Sequence, residues 1–193
     1  MDVHAETVAP GVLRLPLRTP TLPPATTTNA CIVVGDGVVV IEPATPHDDE
    51  RARLDAVLAD LDHAGHPLAL ILLTHHHGDH VGYAEALREK TGAPIAAHEQ
   101  TAERVTFAID RVLADGDHVE LGAGVSLRAV FTPGHAPGHL VYLEERSSVA
   151  YVGDMLAGEG TILVDPYDGG DMKAYLESLA RIAALGSAAL IPS

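Results

Sequence analysis

Leu68-Ala69-Leu70-Ile71-Leu72-Leu73-Thr74-His75-His76-His77-Gly78-Asp79-His80 is the stretch on which the reading of this chain turns. Its first six residues form a continuous apolar run of strand length, which suits a strand buried on both faces. The run leads directly into four histidines and an aspartate, so the polar cluster is expected at the end of a central strand. Alternate side chains of an extended backbone share a side, which puts His75 and His77 together. Gly78 then permits a sharp turn that aims Asp79 and His80 at a second point nearby. Imidazole and carboxylate are the usual nitrogen and oxygen donors for zinc and similar first-row ions. One short segment can therefore begin two metal sites. His76 projects the other way and is expected in a supporting or solvated position.

Further along, Thr132-Pro133-Gly134-His135-Ala136-Pro137-Gly138-His139 follows a strand-like run, its Pro and Gly residues fixing a tight path. His135 would supply the third imidazole of a three-ligand site with an open position, the arrangement that catalytic zinc requires. His139 is placed with His76 among supporting or substrate-side groups. Tyr151-Val152-Gly153-Asp154 puts a carboxylate just past another strand. Alone, a His after Pro-Gly or an Asp after Gly is an ordinary loop residue. Beside two half-built sites, Asp154 suits a bridge between two cations about 3.5–4 Å apart.

Around these motifs the pattern alternates. Val12–Leu15, Ala30–Val34 and Val38–Ile41 read as strands, with Gly35-Asp36-Gly37 as a hairpin turn. Asp48-Asp49-Glu50 opens an amphipathic helix carrying Leu54, Val57, Leu58 and Leu61. A helix is expected from Val81 to Lys90, a strand at Ile95–Ala97 and a short helix from His98 to Val105. Four strands are expected between His118 and Val152. A last helix follows from Met172, with Glu177 and Arg181 paired at i,i+4, and a final strand over Ala188–Ile191.

The bulk numbers bound the function. With 193 residues and 47% hydrophobic composition, residues 1–193 are read as a single domain with one sizeable core. A formal charge of −15, from 12 Lys+Arg against 27 Asp+Glu, would repel a phosphate backbone and argues against a nucleic-acid partner. Bound cations would reverse that field locally, so an anionic substrate stays open. The lone Cys31 sits in an apolar run and reads as an inert core residue. The start lacks the basic and apolar segments of a secretory signal, and no apolar run approaches the roughly 20 residues that span a bilayer. A cytoplasmic protein, not held in a membrane, is the expectation.

Thr74 to His80, then Thr132-Pro133-Gly134-His135, then Gly153-Asp154, in this order and at these separations, resemble the metallo-β-lactamase-fold hydrolases. The resemblance covers essentially the whole chain. Thr161-Ile162-Leu163-Val164-Asp165-Pro166, Gly170-Asp171-Met172 and Tyr175-Leu176-Glu177-Ser178-Leu179 are similar to the branch holding glyoxalase II-like proteins and lactamase-β-like endoribonucleases. The resemblance implies an α/β four-layer α/β/β/α sandwich, where periodicity alone gives only mixed α and β. It implies two divalent metal ions, zinc first and iron or manganese as alternatives. His75, His77 and His135 would hold one ion, Asp79 and His80 the other, and Asp154 would bridge. The family supplies one more histidine just after the last core strand. This sequence reads Leu190-Ile191-Pro192-Ser193 there, ending just before that segment, so the second position is expected to be short of one imidazole.

The expected chemistry is attack of a hydroxide, generated between two ions, on the carbonyl of a small-molecule ester or thioester of glyoxalase II type. Asp79 would orient the nucleophile and shuttle its proton. Lactone hydrolysis and phosphodiester or RNA cleavage suit the same machinery. A non-catalytic metal-binding domain and a redox di-iron protein are the rivals of a different class.

Overall fold

The structure is a computed structural model describing residues 5–193. Its architecture follows from period-2 alternation on strands whose two faces both carry apolar residues. In one sheet, strands β1 (Glu6–Ala9), β2 (Val12–Arg18), β3 (Thr27–Val34), β4 (Val38–Ile41), β5 (Leu68–Leu72), β6 (Ile95–Ala97) and β7 (Arg111–Val112) lie side by side in sequence order. A second sheet has the order β12 (Ala189–Pro192), β11 (Val149–Gly153), β10 (Leu140–Glu144), β9 (Ser126–Phe131), β8 (His118–Glu120). Cys31, Val33, Val39, Ile41, Leu70 and Leu72 of the first sheet pack against Leu127, Ala129, Tyr142, Val149 and Tyr151 of the second. The intervening residues point outward, as alternation requires.

Those outward faces are covered by helices. Ile32, Val40 and Ile71 meet Leu54 and Leu58 of α1 (Asp48–His63) and Leu87 of α3 (Ala84–Thr91). Val130, Val141, Ala150 and Val152 meet Ile182 of α5 (Met172–Ala184). Three apolar seams separate four layers, the α/β/β/α sandwich that the resemblance implied. The middle strands β4, β10 and β11 are buried at every position, consistent with cover on both faces.

The topology brings the motif loops to one end. β4, β5 and β6 run parallel, so the residues after β4 and β5 emerge side by side. Hydrogen bonds tie the sheets together there: Leu140 N–H donates to the Thr74 carbonyl at 2.9 Å, the Tyr142 hydroxyl to that of Leu73 at 2.8 Å, and the Tyr151 hydroxyl reaches Glu42 and the Asn29 carbonyl.

Two helices, one ion pair and two edge strands differ from the sequence expectation. The helix expected over 81–90 is instead α2 (Gly78–Val81) and α3, broken at Gly82-Tyr83. Here the backbone presses on the segment after β4: Tyr83 N–H donates to the Pro43 carbonyl, and a Cβ on Gly82 would lie 2.6 Å from the Ala44 carbonyl. The helix expected over 98–105 regularises only as α4 (Glu99–Ala102), with His98 as its cap, and continues as hydrogen-bonded turns. Arg181 does not pair with Glu177. It forks onto Asp115 at 2.7 and 2.8 Å, while Glu177 takes Lys173. The short edge strands β1 and β7 were not anticipated. No helix among the described residues is long and apolar enough to cross a membrane.

Candidate metal centre

Beyond β5 the chain stays extended through His77 and then turns into α2 at Gly78. This directs His75 and His77 to one point, which His135 reaches from the loop after β9. His75 Nε2 lies 2.9 Å from His77 Nδ1, and His135 Nε2 lies 3.0 Å from His77 Nδ1 and 3.2 Å from His75 Nε2. Nitrogens held about 2.0–2.1 Å from a tetrahedral zinc ion stand about 3.3–3.4 Å apart, so this triangle is nearly of ligand size. Asp154 Oδ2 is 3.4 Å from His135 Nε2, and the four donors lie within 4.8 Å of one another.

The outer nitrogens show which atoms carry lone pairs inward. His135 Nδ1 is 2.7 Å from the Leu163 carbonyl, which can only accept, so the proton is on Nδ1. His77 Nε2 meets Asp168 at 2.8 Å, leaving Nδ1 with the lone pair. Thr74 donates its hydroxyl to the Glu42 carboxylate and accepts from His75 Nδ1 at 2.8 Å. Three lone pairs thus converge on one point. A carboxylate, hydroxyl or carbonyl behind each imidazole is the support that metal-binding histidines normally have. The donor set fits a divalent ion.

Beside this point stand His80, Asp79 and the other oxygen of Asp154, the residues expected at a second position. His80 Nε2 lies 3.3 Å from Asp154 Oδ1 and 3.8 Å from Asp79 Oδ1, while its Nδ1 donates to Glu42 at 2.6 Å. Asp154 thus turns one oxygen toward His135 and the other toward His80. The Ser193 hydroxyl also bonds its Oδ1. Glu42 lies close to His75 and His80, but its oxygens already accept from Thr74 N–H, Thr74 OH, His80 and Tyr151 OH. It supports ligands and has no lone pair aimed into the centre.

Electrostatics agree with this division. Burial, reinforced by neighbouring imidazoles, holds His75 well below the usual histidine range; burial likewise lowers His135. Both are neutral donors. Burial would also lower His80, but Glu42 and Asp154 outweigh it and raise His80 well above that range. For Asp154, burial would raise the carboxyl, yet His80, His135 and Ser193 drive it far below the ordinary carboxylate value. A cation at the second position would replace the His80 proton.

The remaining expected residues lie outside the converging set. His76 is largely buried, its Nε2 3.3 Å from Asp168, more enclosed than a solvated side chain. His139 does not face substrate space. It is fully buried, stacks on His75 at 5.2 Å, bonds Thr132 Oγ1 at 2.9 Å and leaves Nε2 without a partner. Sequence reading missed Glu42, Asp168 and the Leu163 carbonyl. Glu42 had a signal, an acidic residue closing an otherwise apolar strand. Asp168, in a polar loop, had none.

The centre opens on a cavity of about 290 Å³, walled by residues 20–28 on one side and 157–165 on the other. The walls meet where a Cβ on Gly160 would stand 3.0 Å from Pro24.

Residues 24–193 match the family model described as the metallo-beta-lactamase superfamily. The chain belongs to this superfamily. Membership implies divalent metal binding, and the His/Asp groups above are the candidate ligands. Over 137 residues this superfamily member is 39% identical to a hydroxyacylglutathione hydrolase from Cereibacter sphaeroides, an overlap covering 71% of this chain and 52% of the relative. The chain thus spans about half the length of the curated relatives it matches. A metallo-beta-lactamase family protein from Thermus thermophilus superposes with a TM-score of 0.77 at 28% identity, covering 96% of this chain and 74% of that one. TTHA1623, solved in a di-iron-bound form, gives 0.69 at 26% identity, covering 92% and 91% respectively.

Proposed function

We propose that this superfamily member hydrolyses the carbonyl of an ester or thioester with two divalent ions, zinc foremost. His75, His77, His135 and Asp154 would hold one, and Asp79, His80 and Asp154 the other. The observation that carries the reading is the convergence of three imidazole lone pairs within 3.2 Å, each fixed from behind by its own acceptor. The choice of a thioester bond, though not of the thiol it joins, draws support from the hydroxyacylglutathione hydrolase relatives.

When bound, the ions supply an activated water and polarise the carbonyl oxygen. The chain's own part is positional. Leu163, Asp168 and Glu42 lock tautomers and ring orientations, so little reorganisation is needed during reaction. Asp79 is a partly exposed carboxylate at the cavity floor. It orients the attacking water and takes its proton. Water oxygen bonds to the carbonyl carbon, the bond to sulfur or alkoxide oxygen breaks, and the proton passes to the leaving group. The products are a carboxylate and a thiol or alcohol, with the second proton of the water released to solvent.

The test is a substrate panel of thioesters, esters, lactones, phosphodiesters, β-lactams and single-stranded RNA, run on metal-loaded protein beside elemental analysis. Ester or thioester cleavage with zinc bound is expected. Efficient RNA cleavage with no ester turnover would overturn the reading. Chelator titration should remove metal in two steps, the second position first, because it offers one imidazole where the first offers three.

A further inference from the structure

The cavity before the donors carries charge of one sign. Besides Asp79 and Asp154, its lining includes Glu159, Asp165 and Asp168, and among the described residues no lysine or arginine lines it. Asp168 is answered in part by His76 and His77, and Asp165 gives one oxygen to Tyr167 N–H at 2.9 Å. Glu159 stands exposed on the wall between Ala157 and Gly160. Arg104 is not part of the lining; its Nη2 lies 3.7 Å from where a Cβ on Gly169 would stand, and its charge acts on His76 behind Asp168.

The uncharged part of the lining mixes threonines with apolar side chains, and two of the latter stand out. Leu22 on one wall and Leu163 on the other are 60% and 53% exposed, large side chains left open to water at the mouth of a small cavity. An apolar group bound between them would remove that surface from water and be held by it. An anionic group at the same mouth would face Glu159 and Asp165 within about one Debye length, with no side-chain cation in the lining to offset them.

We infer that the substrate is an uncharged ester or thioester with a short apolar acyl chain, and that Glu159 and Asp165 discriminate against leaving groups bearing a carboxylate or phosphate. The inference narrows the hydrolase reading above and rests on it for the location of the reacting carbonyl. Two divalent ions would outweigh the single charges of Asp79 and Asp154 and so attract the carbonyl oxygen at the floor, while the acidic wall acts on the remote end of the molecule. Charge selection is therefore a property of the walls, separable from catalysis at the floor.

A matched pair tests it. The hexanoyl thioesters of N-acetylcysteamine and of N-acetylcysteine differ by a single carboxylate on the leaving group. At low ionic strength the neutral thioester should be cleaved with kcat/KM at least tenfold higher, a ratio that shrinks as salt is raised. Glu159→Lys, at an exposed position, should compress the ratio threefold or more. The uncleavable amides of the same two carriers, titrated calorimetrically into zinc-loaded and metal-free protein, should rank in the same order. Neutral preference in both binding and cleavage supports the inference. Equal binding, or preference for the anionic compound, overturns it while leaving hydrolysis intact. Tighter binding of the neutral amide with no cleavage of either thioester would sink the hydrolase reading and keep the charge selection.

Discussion

Glu42→Gln changes one atom and tests how the centre is supported. Glu42 is fully buried, with Oε1 accepting both Thr74 N–H and Thr74 OH, and Oε2 accepting His80 Nδ1 and Tyr151 OH. An amide has one acceptor oxygen, so its NH2 must face one of these pairs. Facing Thr74, it orphans a buried backbone N–H. Facing His80, it forces the ring to accept on Nδ1 and carry its proton on Nε2, the atom turned toward Asp79 and Asp154. Tyr151 escapes either way, because its hydroxyl also reaches the Asn29 carbonyl at 2.6 Å. Losing a charge-assisted bond and leaving one buried group unsatisfied is worth about 3 kcal/mol. For a domain of this size that is a fall in Tm of about 6–12 °C in the metal-free protein. Zinc affinity at the second position should drop about 10- to 100-fold. Thermal melts of apo protein and competition titration with a chromophoric chelator measure both. A Tm within about 2 °C of the parent together with zinc affinity within threefold would refute the role of Glu42 as the common acceptor.

Asp168→Asn should weaken zinc at the first position by tenfold or more with little effect on folding, since this half-exposed carboxylate fixes the His77 tautomer; parental affinity would show that the tautomer is set elsewhere. Gly134→Ala should cost about 2–4 kcal/mol, because φ is +135° and a Cβ would fall 2.2 Å from the Tyr175 backbone nitrogen. Urea unfolding reads this, and an unshifted midpoint would mean that the His135 loop does not bear on α5 as described. Acid stability should depend on Glu50: burial would raise its carboxyl, but hydrogen bonds from Arg18 and Arg53 lower it. Its contribution is present above the unfolded value of about 4.3 and lost as pH falls through the lower folded value. Stability measured from pH 6 to 3 should therefore fall less steeply in Glu50→Gln, and parallel curves would count against the pairing.

The sequence alone was enough to place the His/Asp motif at the end of a buried strand, because a six-residue apolar run leading straight into donors leaves few other arrangements. Strand alternation in Ala30–Val34 and Val38–Ile41 likewise reports faces directly, since period 2 is a local property of the backbone. The family resemblance added the two-sheet layering, which periodicity could not decide. What only the tertiary structure decided were contacts distant in sequence. Glu42 and His80 are 38 residues apart, His77 and Asp168 are 91, and a carbonyl such as that of Leu163 carries no sequence signature at all. The break in the helix after the motif has the same origin, the pressure of Ala44 and Pro43 on Gly82 and Tyr83. So does the burial of His139: nothing in Pro137-Gly138-His139 distinguishes an imidazole stacked behind His75 from one facing substrate, because that depends on how closely the two sheets approach.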